Sequence, residues 1–249
     1  MFYAISSMFS YTQTLSHFKT SNVVIWLTMA FQAGTLNTGG YLACHRFVSH
    51  VTGFGTLVGE EAAMGNFRNS LNMATVPSFF IGGAMLSAFL VDRRIQTGKP
   101  PLYPVVMFLI LFLTLTVTYF GQWGSFGEFG STNIQNEHVL LASLCLICGL
   151  LNATVTSAFG AIIRTTHLTG ITTDLGIGLI RVFTHSHKIQ PRVNEVRANW
   201  MRIGLITFFI LGSYCSALVY SNFKYWGFLI PGGIATILFL WSLIHFKSH

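Results

Sequence analysis

The sequence predicts an all-α polytopic integral membrane protein, with six transmembrane helices plus two re-entrant half-helix segments in an inverted 3+3 internal repeat. Three observations lead there. Of 249 residues 52% are hydrophobic and 8% charged, where a soluble domain carries roughly 25% charged residues. Six apolar stretches reach the roughly 20 helical residues that a hydrocarbon core about 30 Å thick demands. A string built on His, Thr and Gly occurs twice, once in each half of the chain.

Taken in order, residues 1–22 carry Phe2, Tyr3, Ile5, Met8, Phe9 and Phe18. They lack the basic start and small-residue cleavage site of a secretory signal, so they are expected to form a cytoplasmic or interfacial lead-in. The first membrane repeat, 23–120, holds apolar spans at 23–43, 73–91 and 102–120. An extracytoplasmic loop is expected at 121–138. The second repeat, 139–249, holds spans at 139–159, 203–220 and 225–246. Between the first two spans of each half lies a partly apolar stretch, 47–67 or 164–183, and whether these cross or turn back decides the topology.

These stretches contain the repeat. Ser49-His50-Val51-Thr52-Gly53 and Thr56 recur as Thr166-His167-Leu168-Thr169-Gly170 and Thr173. A Gly-x-x-Asn precedes each copy, ending at Asn37 and Asn152, and the next span opens with related strings, Phe79-Phe80-Ile81-x-Gly83 and Phe208-Phe209-Ile210-x-Gly212. Three elements in the same order indicate a duplication.

Charge placement chooses between the topologies. Lys+Arg number 14 against 7 Asp+Glu, and with six crossings and an inside amino terminus only Arg46, Arg68 and Lys224 fall outside. Eight crossings would put Arg46, Arg93, Arg94, Lys99, Arg164 and Lys224 there, so the positive-inside rule favours six with two re-entrant stretches. The segment 121–138, placed outside, has no Lys or Arg. An odd number of crossings per half turns the second half upside down, and both termini then face the cytoplasm. The positive charge is accordingly read as membrane orientation, not nucleic-acid binding.

In such a pair, Gly53 and Gly170 are expected to let the chain turn. Thr52 and Thr169 would cap helices starting just after them, with Thr56 and Thr173 one turn further on. The helix starts would meet near the midplane, where their free N–H groups favour an anion or carboxylate oxygen. His50 and His167 flank them, with Arg46 and Arg164 a few residues earlier. Intramembrane ionisable groups usually mark a pathway. The expected solute pathway is therefore Asn37, His50, Thr52, Gly53, Thr56, Asn152, His167, Thr169, Gly170, Thr173 and Asp174, with Arg46 and Arg164 acting electrostatically. Asp174 shares a stretch with His167 and its first-half counterpart is Leu57, so any proton coupling is expected at His167, with His50 mainly a hydrogen-bonding liner. Asn37 and Asn152 would serve equally well as ties between helices. Gly82, Gly83 and Gly212 read as close-packing points, Cys145 and Cys148 as packing residues.

No hydrolase, NTPase or dinucleotide motif is present. No catalytic residues, cofactor or metal are expected, and the protein is not expected to be an enzyme. The reading is a transporter or channel for a small polar or anionic solute in the lipid bilayer, with proton linkage and homo-oligomerisation left open. The alternatives are a membrane structural or interaction protein, in which the repeat is helix-packing glue, and an intramembrane enzyme.

The strings 47–53, 149–153 and 164–176 resemble the YoaK family, an uncharacterised domain of bacterial inner-membrane proteins. The resemblance covers roughly residues 23–246 and departs at Asn37, where the family has Asp, and at Phe54, where it has Asn. It implies about six spans, a bacterial inner-membrane location and a transport role, without a substrate.

Overall fold

A computed structural model describes residues 20–131, 137–159, 168–184 and 192–246. The described residues form helices α1 (Thr20–Cys44), α2 (Val51–Ala63), α3 (Phe67–Leu90), α4 (Asp92–Gln96), α5 (Tyr103–Gln122), α6 (Glu137–Phe159), α7 (Leu168–Phe183), α8 (Arg192–Phe223) and α9 (Leu229–Phe246). A 3-10 turn, Lys224–Phe228, joins the last two. The expected lead-in 1–22 lies almost wholly outside the described residues.

Among the described residues four helical stretches, Phe67–Gln96, Tyr103–Gln122, His138–Ser157 and Val193–Ile244, are long and apolar enough to cross a membrane. The chain is a membrane protein on that ground. The last stretch has 52 residues, and at 1.5 Å per residue it exceeds about 70 Å; the 3-10 turn divides it into α8 and α9. Helix α1, with 25 residues, has the length but not the apolarity, because it buries Asn22, Gln32, Thr35 and Asn37. Helix α2 has 13 residues, about 20 Å, which is short of the core thickness.

Two helix starts differ from the apolar runs. α3 begins at Phe67 rather than 73, and α8 at Arg192 rather than 203. Hydropathy marks where a helix meets lipid, and both helices continue beyond that boundary with polar and charged turns.

The most extensive packing is α3 on α6 and α1 on α8, followed by α5 on α9. Glycine makes the first two possible. A Cβ on Gly34 would meet Phe209 O and Ser213 N of α8; one on Gly149 would meet Phe80 O and Ala84 N of α3. Gly212 in turn lies on Phe31 O, and Gly83 on Leu146 O. Exchanging Gly34 with Gly149, Phe31 with Leu146, Phe80 with Phe209, Gly83 with Gly212 and Ala84 with Ser213 converts one interface into the other. The duplication in the sequence is thus a two-fold exchange in space, and each half lends its second long helix to the other half's first.

The same contacts give directions. Leu27, Phe31 and Gly39 of α1 meet Gly204, Gly212 and Tyr220 of α8 in ascending order, so these two helices run the same way. So do α3 and α6, where Gly83 lies on Leu146 and Ser87 Oγ is 2.8 Å from Thr154 Oγ1. Helices α5 and α9 run oppositely, since Phe108 meets Phe239 while Gly232 faces Thr114 and Leu115. The two-fold axis therefore crosses the helices rather than running along them. One end of the bundle gathers the end of α1, the loop after α5 and the 3-10 turn, through Gly130 N–H to Ala43 O (3.2 Å) and Tyr225 O–H to Gly127 O (3.3 Å). The other end joins α3 to α5 through Leu102 N–H to Leu90 O (3.1 Å).

Candidate functional site

The first motif begins where α1 ends. His45 takes φ 55°, a left-handed conformation uncommon outside glycine that Asn, Asp and His accept more readily than other side chains. Its N–H still donates to Tyr41 O (2.8 Å) and its Nε2 lies 3.1 Å from Gly130 O. The chain then reverses. Val48 packs on Gly40, and Ser49 donates from its N–H (3.3 Å) and its hydroxyl (2.9 Å) to Asn37 Oδ1. Asn37 lies almost two turns, about 10 Å, before the end of α1. The irregular segment 45–50 thus folds back alongside α1, and Cys145 Sγ of α6 reaches Val48 O at 3.3 Å.

Helix α2 starts at that depth and packs on α3, where Ser70 donates to Val58 O at 2.9 Å. Phe54 is its buried residue. Thr52, Gly53, Gly55, Thr56 and Gly59 are exposed, as is His50, whose ring lies 5.4 Å from Phe47; Phe47 stacks on Tyr41 at 4.7 Å. Arg46 is partly buried, donates to His45 O at 3.3 Å, and leaves Nε buried without a partner among the described residues.

Two expectations are corrected here. Gly53 is not the turn: it lies inside α2 with Thr52, and the reversal is carried by His45, whose ring is held by the neighbouring loop. Nor does Thr52 cap the helix. His50 occupies the N-cap position and makes no side-chain cap bond, while the preceding hydroxyl, Ser49, is committed to Asn37. Thr52 instead offers its carbonyl to Thr56 Oγ1 (3.3 Å), as Thr169 does to Thr173 (2.9 Å).

In the second half, Arg164 and His167 lie outside the described residues. Helix α7 starts at Leu168, so Thr169 and Gly170 are within it and likewise neither cap nor turn. Ile171 and Gly178 are buried, while Thr169, Thr172, Thr173 and Asp174 are exposed. Helix α7 packs on α8 as α2 does on α3. Among the described residues no hydrogen bond links the two motif helices, and no three His, Cys, Asp or Glu side chains converge as a metal site.

Asn152, 5% exposed, has no hydrogen-bond partner at either amide atom among the described residues, although its exchange partner Asn37 is held by Ser49. An unpaired buried polar group costs about 1–3 kcal/mol. The sequence reading singled out both asparagines but missed Ser49 as the partner of one, though Ser49 and Thr166 stand at the same place in the repeat.

It also missed an ionic cluster under α7. Glu195, 7% exposed, accepts from Arg202 Nη1 at 2.9 Å and lies 3.7 Å from Arg181 Nη1; Arg202 also donates to Asn199 Oδ1. A Cβ on Gly178 would strike Asn199 Oδ1, Arg202 Nη1 and Glu195 Oε1. Glycine is what lets α7 lie over the cluster.

A family model described as a protein of unknown function, DUF1275, matches residues 25–241. It supports the resemblance as an uncharacterised-domain family spanning most of the chain; the YoaK name is not part of the match. No curated protein and no solved structure matches the chain.

Proposed function

We propose that this chain, which belongs to the DUF1275 family of unknown function, is a membrane transporter or channel for a small polar or anionic solute, not an enzyme. The observation that carries the reading is the fold-back of Ser49 onto Asn37. Irregular backbone at membrane depth is tolerated only where protein covers it or where it lines a wet cavity. Here it leads into a helix that turns Thr52, Gly53, Gly55, Thr56 and Gly59 outward. A face of hydroxyls and bare backbone suits a hydrated path better than lipid.

The helix directions support six crossings with α2 and α7 as the two re-entrant half-helices. With eight crossings α5 and α9 would point the same way; with six they oppose, as observed. We assign both termini to the cytoplasmic face, by the distribution of Lys and Arg, and the bacterial inner membrane by the family resemblance.

Gly53 supplies the test. It is helical and exposed, and a Cβ there would meet only His50 Cβ at 4.0 Å, so Gly53→Ala should stabilise the fold by up to about 1 kcal/mol. If the motif face is the path, the same methyl lowers solute flux in proteoliposomes while the melting temperature rises. A stabilised variant with undiminished flux, or wild-type protein that moves no solute, contradicts the reading.

A further inference from the structure

We propose that Asn152 is the side chain that receives the solute, and that the solute is neutral, presenting a hydrogen-bond donor beside an acceptor as a carboxamide or un-ionised carboxylic acid does. This rests on the transport reading and narrows it, since a bare inorganic anion is then the wrong ligand.

The argument starts from the two-fold exchange. Asn37 and Asn152 occupy equivalent places on α1 and α6, three residues after the exchanged glycines Gly34 and Gly149. Asn37 Oδ1 is filled twice over by Ser49. Asn152 is as deeply buried, yet among the described residues neither Nδ2 nor Oδ1 has a partner. Its nearest hydroxyls on α6 are already used: Thr154 donates to Leu150 O and meets Ser87, and Thr156 donates to Asn152 O.

An amide has both donor and acceptor demands. An inorganic anion could accept from Nδ2 but would turn negative charge towards Oδ1. A carboxamide or carboxylic acid meets both atoms at once, through a cyclic pair of hydrogen bonds. The surroundings agree. No Asp, Glu, Lys or Arg occurs in α1, in 138–159 of α6, in 69–90 of α3 or in α5, the helices around Asn152. Among the described residues these helices offer an anion no countercharge in a medium of low dielectric, which is a heavy penalty.

The test uses full-length protein with acetamide and nitrate as probes, in two measurements: thermal unfolding in detergent and flux into proteoliposomes. Acetamide should raise the melting temperature and cross the vesicle membrane; nitrate should do neither. Asn152→Leu, close in size and apolar, should fold at least as stably as wild type without solute. It should lose the acetamide-induced shift and at least tenfold of the acetamide flux. Asn37→Leu should instead lower the melting temperature, because it strands Ser49. If Asn152→Leu destabilises the protein as Asn37→Leu does, or Thr166→Val reproduces its loss of flux, the chain itself fills Asn152 and the proposal is wrong. Nitrate flux that survives Asn152→Leu overturns the proposal and leaves transport standing. Protein that neither binds nor moves either probe, nor any other solute, overturns both.

Discussion

His50 and His167 stand at the same place in the two motifs, yet their surroundings differ. His50 is exposed beside Phe47 and has no acid on its own helix until Glu60. His167 precedes a helix that carries Asp174 two turns on. On the hypothesis that transport is proton-linked, coupling belongs to His167: His167→Gln should abolish the pH dependence of flux. His50→Gln should weaken solute affinity and leave the pH profile nearly unchanged. Equal changes in the two profiles would refute the asymmetry. At this scale the sequence was a partial guide. It exposed Asn37, Asn152 and the histidines through their repetition, but a repeat shows which positions correspond, not which are satisfied. Asn37 is tied to Ser49 by a chain reversal at His45, whose left-handed conformation no composition rule announces, whereas Asn152 has no partner among the described residues.

The two motif helices are anchored at different points. Helix α2 is tied down just before its start, where Ser49 meets Asn37, and by Ser70 on Val58 O. Helix α7 is held towards its carboxyl end, where Gly178 lies on the Glu195, Asn199 and Arg202 cluster. Gly178→Val should therefore force α7 off α8 and destabilise the protein by about 1–3 kcal/mol, the range for overpacking a close contact. Gly176→Val, where a Cβ meets nothing within 4 Å, is the control and should not lower the melting temperature. Equal destabilisation by both would mean that the cluster does not seat α7. Sequence reading missed this anchor because Arg192, Glu195, Arg197 and Arg202 look like a solvated loop. The seven-residue spacing of Glu195 and Arg202 puts them on one face only once the segment is known to be helical. The motif stretches themselves stood out in the sequence, since a stretch mixing His, Thr and Gly with apolar residues suits neither a lipid-facing span nor a polar loop.

For the whole molecule, the central claim is that the halves are related by a two-fold axis across the helices, with opposite orientation in the membrane. The duplication and the charge bias both pointed to it. The packing that builds it, each half's glycine helix seated on the other half's, could not be read from one chain without knowing which glycines meet. Site-directed labelling of single cysteines measures the claim most directly, in a background with Cys44, Cys145, Cys148 and Cys215 replaced. One cysteine is placed in the loop at Ser125 and another at Gln96, at the end of α4. A membrane-impermeant thiol reagent applied to sealed cells should label Ser125→Cys and leave Gln96→Cys untouched until the membrane is opened. A third position, Arg197→Cys at the start of α8, should behave like Gln96→Cys. Labelling of Ser125→Cys and Arg197→Cys from the same side would contradict the inverted pair and, with it, the re-entrant reading of both motifs.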